Sequence, residues 1–156
     1  MVIIDTDVFL IELAFNRDAR FAMNSRFLRS VKSAGPAITI FNLMELLGSL
    51  SYHTPPAKLG AWREWLERPY RLTIIWPEPA DLDARAFFEA IIYEAPLLRM
   101  QMHRLGFNDA LMLDLAERTH DTRALVTWNA RHFKNKTWLP VATPVEYLAS
   151  LTETAS

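Results

Sequence analysis

Cysteine is absent from this chain of 156 residues, and glycine occurs only four times. Without cysteine, neither a disulfide bond nor a thiolate metal site can form. The few glycines make no Gly-rich phosphate-binding loop, and the serines lie in no nucleophile-elbow context. These absences exclude several common enzyme classes and fit a reducing cytosol.

Long apolar runs and a strong excess of one charge are also missing. No apolar run approaches the roughly 20 residues that span a bilayer, and Asp5 falls where a signal peptide would be apolar. The net charge is −1, so any contact with nucleic acid must use local basic patches. We therefore expect a cytoplasmic protein with no membrane contact.

The residues that are present predict one globular domain over 1–150, with 151–156 as a flexible C-terminal tail. Short apolar runs alternate with helical patterns, which favours an α/β fold: a three-layer α/β/α sandwich with a central parallel sheet. The predicted strands are Val2–Ile4, Ala37–Ile40, Leu72–Trp76, Ala124–Thr127 and an edge strand at Leu139–Ala142.

Prolines and caps set most of the predicted helix ends. Pro69 is predicted to end one helix and Pro96 to interrupt another. The segment 97–105 is compatible with helix or loop, and 77–79 is predicted to be a turn. Thr143-Pro144-Val145-Glu146 has the pattern of a helix cap and predicts a short C-terminal helix.

Three acidic residues stand against or inside apolar runs, where a lone carboxylate is costly to bury. Asp5 follows the first strand, Glu45 lies inside a predicted helix, and Asp109 opens a later one. Thr127 and Asn129 end the fourth strand, and ligands of such sheets bind at the carboxyl ends of the strands. Converging carboxylates repel one another unless a divalent cation binds between them. The pattern therefore predicts a Mg²⁺ or Mn²⁺ site.

Each acid also has a simpler interpretation. Asp5 or Asp7 could cap a helix, and Asp109 could complement a helix dipole. In the predicted first helix, Asp7 or Thr6 is the expected cap.

Two further sets of polar residues are assigned to the surface. Asp114 stands four residues before Arg118, which predicts a solvated residue with an ion-pair partner. The four histidines lack the spacing of a helical zinc site. His132 is the one histidine that stays a candidate site residue, because it follows Asn129 closely.

Four segments, in this order, resemble the PIN domain, and most closely the VapC-type ribonuclease toxins of prokaryotic toxin–antitoxin systems. The resemblance spans nearly the whole chain. The matching segments are Ile3-Ile4-Asp5-Thr6-Asp7-Val8, Asn42-Leu43-Met44-Glu45-Leu46, Asn108-Asp109-Ala110-Leu111-Met112 and Val126-Thr127-Trp128-Asn129-Ala130-Arg131-His132-Phe133.

The resemblance implies a PIN-like sandwich and an endoribonuclease that uses Mg²⁺ or Mn²⁺ to activate water. Asp5, Glu45 and Asp109 would be the metal ligands. Asn129 falls on the fourth acidic position of the family, and Asp7 and Thr127 would support the site.

The resemblance also implies partners: RNA, a small antitoxin protein and a second copy of the chain in a homodimer. Basic residues in two stretches could contact the RNA backbone, although ordinary solvated faces are an equal interpretation. They are Arg17, Arg20, Arg26, Arg29 and Lys32, and then Arg131, Lys134 and Lys136.

Two alternatives stay open. A non-catalytic PIN-like module that binds RNA or protein is favoured by the neutral Asn129. A haloacid-dehalogenase-type phosphatase would use Asp5 of Asp5-Thr6-Asp7 as its nucleophile, but Val8-Phe9 stands where that family has Gly-Thr.

Overall fold

The computed structural model describes residues 1–78 and 81–153, and in them a parallel sheet runs in the order β3-β2-β1-β4-β5. Helices cover both faces, so the predicted α/β/α sandwich is confirmed. The predicted edge strand is indeed at an edge of the sheet, although it is only two residues long. The strands are β1 Val2–Ile4, β2 Pro36–Thr39, β3 Thr73–Ile75, β4 Ala124–Val126 and β5 Val141–Ala142.

The helices fill the connections between the strands. They are α1 Thr6–Leu13, α2 Phe21–Ser30, α3 Ile40–Ser51, α4 Pro56–Gly60, α5 Arg68–Tyr70, α6 Ala84–Phe88, α7 Ala95–His103, α8 Phe107–Arg118, α9 Ala130–Phe133 and α10 Pro144–Glu153. A 3₁₀ turn at Val31–Ser33 and two π-turns, Arg63–Glu67 and Glu89–Glu94, extend them. None of the described helices is both long and apolar enough to cross a bilayer.

The central strand β1 divides the core into two apolar layers. Side chains alternate between the faces of a strand, so Val2 and Ile4 pack with α1, α2 and α3, while Ile3 packs with α8. Both layers are buried, as expected for a parallel strand covered on both faces.

Two prolines that were predicted to break helices lie inside continuous helical segments. Pro69 follows the π-turn Arg63–Glu67, and Pro96 follows the π-turn Glu89–Glu94. A proline has no N–H for the helical ladder and its ring crowds the carbonyl one turn earlier, and the wider π-turn relaxes that spacing. The predicted breaks were therefore wrong, and α7 also settles most of the undecided segment 97–105 as helix.

The cap predicted at the last helix is confirmed. Thr143 N donates to Glu146 Oε2 over 2.7 Å, and Glu146 N donates to Thr143 Oγ1 over 3.2 Å. Of the predicted tail 151–156, residues 151–153 are the end of α10. Residues 154–156 lie outside the described residues, as does the end of the turn predicted at 77–79.

Candidate metal centre

The site is built where β1 and β4 end side by side. Ile4 pairs with Val126 in the sheet, and Asp5 N donates to Val126 O over 3.0 Å. Asp5 and Thr127 therefore leave neighbouring strands at the same edge. The chain turns in opposite directions on the two sides of this pair, which is the topological position where α/β sheets bind ligands.

Asp5 is the cap of α1, as one of the simpler interpretations of the sequence had it, and the other candidates, Asp7 and Thr6, lie inside the helix. Its Oδ1 accepts from Thr6 N over 2.7 Å and from Asn42 Nδ2 over 2.8 Å, and the residue is 9% exposed. Asn42 comes from the first turn of α3, whose N-terminus is capped by Thr39 at the end of β2. The ends of two strands, β1 and β2, thus contribute to holding one carboxylate.

Asp7 lies one helical step further and turns back toward β4. Its Oδ2 accepts from Thr127 Oγ1 over 3.0 Å and from Asn129 N over 3.2 Å. Its Oδ1 is buried and has no hydrogen-bond partner among the residues that the structure describes. Burying a carboxylate oxygen without a hydrogen-bond partner costs free energy. Asp7 Oδ1 is therefore open to accept a hydrogen bond or to bind a cation at this edge of the sheet.

Burial raises the pKa of Asp5 to about 7, and the nearby charges of Asp7 and then Asp109 add to this increase. Burial also raises the pKa of Asp7, against hydrogen bonds from Thr127 and from the backbone that lower it. The carboxylates therefore hold their negative charge at a free-energy cost that a proton or a cation would relieve.

Glu45 and Asp109 reach the same region but contact other partners. Glu45 Oε2 accepts from Thr6 Oγ1 over 2.7 Å, beside Asp5. Asp109 Oδ2 lies 3.1 Å from His132 Nε2. Over residues 1–78 and 81–153, no three acidic or histidine side chains stand close enough to hold one ion in these positions.

Asn129 takes part in the site through its backbone. Its N–H donates to Asp7 Oδ2 and, over 3.0 Å, to Thr127 Oγ1, and the residue is exposed. The role predicted for its side-chain oxygen as a fourth ligand stays a prediction.

The basic residues singled out in the sequence differ in their surroundings. Arg17 and Arg131 are exposed. Arg20 pairs with Asp18, and Lys134 pairs with Glu146 over 3.1 Å.

Sequence reasoning missed the support from Asn42 and the contact of His132 with Asp109. Asn42 opens the Asn-Leu-Met-Glu segment of α3, one turn before Glu45, and this shared helical face was the available signal. The prediction of a solvated Asp114 was wrong, although its ion pair with Arg118 is present at 2.9 Å. Asp114 is 7% exposed because α7 covers this part of α8 and supplies Arg99.

No protein-family model matches the chain, and no curated protein matches it in sequence. Seven chains from solved structures match its fold, among them those of VapBC2 and FitAB. VapBC2 from Rickettsia felis, bound to a DNA fragment from its promoter, has a TM-score of 0.59 and 16% identity over 92% of this chain and 98% of the other. The chain has the PIN-domain fold.

The second structure is FitAB bound to the IR36 DNA fragment, with a TM-score of 0.57 and 16% identity, covering 92% of this chain and 95% of that chain. At this level of identity the likeness establishes the fold alone. The PIN fold accounts for the position of Asp5 and Thr127 at the ends of neighbouring central strands.

Proposed function

We propose that this protein is a metal-dependent endoribonuclease and the toxin component of a toxin–antitoxin system. The observation that carries the proposal is the pair of carboxylates at the carboxyl edge of the sheet, the buried Asp5 and the half-buried Asp7. One oxygen of Asp7 has no hydrogen-bond partner among the described residues, and burial raises the pKa values of both carboxyls.

These residues fit a hard divalent cation. Carboxylate oxygens are the donors that Mg²⁺ and Mn²⁺ prefer, and Asp7 Oδ1 is a buried oxygen still open to a donor–acceptor contact. We propose Asp5, Glu45 and Asp109 as ligands with Asp7 beside them, once Glu45 turns from Thr6 and Asp109 from His132. The bound ion would polarise the phosphodiester and lower the pKa of the attacking water.

The remaining polar groups would orient the ligands before any ion arrives. Asn42 and the Thr6 amide fix Asp5, while Thr127 and the Asn129 amide fix Asp7. Partners of this kind commonly contribute ten- to a hundredfold to metal affinity or activity.

The toxin role is supported by the two structures of the same fold, since VapBC2 and FitAB are toxin–antitoxin complexes. We propose that this chain likewise acts in the cytoplasm, forms a homodimer and binds a small antitoxin. Exposed apolar side chains, namely Met44 on α3, Tyr52 just after it and Phe15 after α1, supply apolar area for such contacts. Co-expression with the product of a small neighbouring reading frame, followed by co-purification, tests the antitoxin.

The enzymatic proposal is tested by incubating the purified protein with single-stranded RNA and Mn²⁺, with and without EDTA. The Asp5→Asn variant runs in parallel, and Asp81→Asn, an exposed residue before α6, is the matched control. We expect cleavage by the wild type and by Asp81→Asn, loss in EDTA, and a loss of about 10³-fold in Asp5→Asn, or about 4 kcal/mol in the barrier.

Asparagine caps helices as well as aspartate does, so the Asp5→Asn variant should keep the fold. Cleavage by this variant within tenfold of the wild type, or undiminished cleavage in EDTA, would contradict the proposal.

A second candidate is a non-catalytic PIN-type module that binds RNA or protein. It is favoured by the absence, within the described residues, of three acidic or histidine side chains gathered for one ion. Such a module would have little affinity for Mn²⁺, which separates it from the enzyme. The PIN-domain fold argues against the haloacid-dehalogenase-type phosphatase.

A further inference from the structure

Arg20 lies against Trp128, the residue between Thr127 and Asn129. The centre of its guanidinium is 5.5 Å from the centroid of the indole ring. This distance is within the range of a cation–π contact, and tryptophan gives the strongest such contacts. A planar cation therefore lies on an aromatic ring that belongs to the segment that ends β4.

The guanidinium is fixed by a second contact. Asp18 accepts from Arg20 Nε over 2.9 Å and from Nη2 over 2.7 Å, and also from the Arg20 backbone N–H over 2.8 Å. These contacts with Arg20 lower the pKa of Asp18 to about 2, so the pair stays charged. Asp18 occupies one edge of the planar group and leaves the Nη1 edge pointing away from it, on a side chain that is 49% exposed.

The ring under Arg20 is held in place from below. Trp128 Nε1 donates to Asn24 Oδ1 over 2.8 Å, and Asn24 is fully buried. Asn24 Nδ2 in turn donates to Val8 O over 3.0 Å and to Glu12 Oε2 over 3.1 Å. The Trp128 ring, with its polar atom satisfied inside the core, is therefore a fixed platform for the Arg20 guanidinium.

This pair stands beside the carboxylates. Thr127 and Asn129, the chain neighbours of Trp128 on either side, donate to Asp7 Oδ2 over 3.0 Å and 3.2 Å. An RNA phosphate approaching Asp5 and Asp7 meets negative charge, so a fixed cation next to them lowers the cost of that approach.

We propose that Arg20, seated on Trp128 and fixed by Asp18, is the residue that binds a backbone phosphate of single-stranded RNA next to the carboxylates. An arginine fork matches the oxygens of a phosphate, and unpaired bases stack on tryptophan and arginine planes. The inference rests on the proposed function, since it names the contact that positions the RNA at that site.

The test measures the dissociation constant of a fluorescein-labelled single-stranded RNA 12-mer by anisotropy, in EDTA and at several NaCl concentrations. The variants are Arg20→Ala, Arg20→Lys and Trp128→Leu. The matched control is Arg63→Ala, because Arg63 is also an exposed arginine that lies on a tryptophan, Trp62, and pairs with an acid, Glu67. We expect Arg20→Ala to weaken binding about tenfold and to lower the salt dependence by about one ion. Arg20→Lys should recover only part of the loss, because it keeps the charge without the fork.

Arg63→Ala should stay within about threefold of the wild type, and melting temperatures show whether any variant loses its fold. If Arg20→Ala and Arg63→Ala bind alike, or if the wild type binds no RNA, the inference is overturned. Binding that depends on Arg20 without any cleavage in Mn²⁺ would support it and refute the nuclease instead. If Arg20→Ala and the control variant cleave RNA with equal kcat/KM, the role of Arg20 is refuted while the nuclease proposal stands.

Discussion

Two pairs of buried acidic side chains in this molecule are held by different kinds of partner. The helix-pair acids, Asp114 and Glu117 on α8, contact Arg99 of α7 at 3.3 Å and 2.6 Å. The sheet-edge acids, Asp5 and Asp7, accept their hydrogen bonds in the described structure from hydroxyl, amide and backbone N–H groups, all neutral.

The difference separates structural from functional burial of charge. Buried carboxylates are tolerated when a cation is built in beside them, as Arg99 is. Neutral donors orient a carboxylate but leave its charge in place, and Asp5 accordingly has a pKa raised to about 7 by burial. We therefore propose that the sheet-edge acids receive a cation from outside the chain.

The largest expected effect comes from removing the built-in cation. Arg99→Met leaves Asp114 and Glu117, with side chains only 9% and 14% exposed, without their shared partner. We expect the free energy of unfolding to fall by about 3 kcal/mol, measured by urea denaturation. The control is Arg118→Met, which removes a 58% exposed partner of Asp114 and should cost less than about 1 kcal/mol. Equal losses in the two variants would show that Arg99 is not the cation that stabilises this pair.

The second expected effect concerns the sheet-edge acids. Because of Asp5, the free energy of unfolding should fall as the pH rises. The folded pKa of Asp5 is raised, so the folded state binds a proton more tightly than the unfolded state. The stabilising contribution is complete below pH about 4 and is lost as the pH approaches 7. In EDTA, we expect about 2 kcal/mol less stability at pH 7.5 than at pH 5.5 from this group.

The difference between wild type and Asp5→Asn isolates that contribution from acids elsewhere that titrate in the opposite sense, such as Asp18. The two stability curves, from urea denaturation at each pH, should diverge between pH 4 and 7, with the variant more stable at the upper end. Parallel curves would mean that folding does not raise the pKa of Asp5.

The smallest expected effect is a gain. Asn129→Asp adds a carboxylate next to Asp7, whose Oδ2 already accepts from the backbone of Asn129. We expect Mn²⁺ to bind about tenfold more tightly, or about 1.4 kcal/mol, as measured by calorimetry. An unchanged affinity would place residue 129 outside direct contact with the ion.

Much of this arrangement could be predicted from the sequence because strand ends are local signals. Val2–Ile4 stops at Asp5, and Ala124–Val126 stops at Thr127, so convergence at one edge followed from parallel pairing alone. The cap at Thr143 and Glu146 was equally local. These features depend only on residues a few positions apart.

The errors had two sources: contacts with distant segments of the chain, and π-turns that the spacing of residues did not predict. Asp114 looked solvated until α7 brought Arg99 over it, and no spacing along the chain reports that packing. Pro69 and Pro96 looked like helix ends because their accommodation depends on the preceding π-turns. The contact between His132 and Asp109 joins α9 to α8 across the molecule in the same way.

Titration of metal-free protein with Mn²⁺, followed by calorimetry, tests the central claim most directly. The variants are Asp7→Asn at the sheet edge and Glu117→Gln in the helix pair, each removing one buried negative charge. We expect the wild type and Glu117→Gln to bind Mn²⁺ saturably, and Asp7→Asn to bind it at least tenfold more weakly. No binding by the wild type, or equal binding by the two variants, would contradict the central claim.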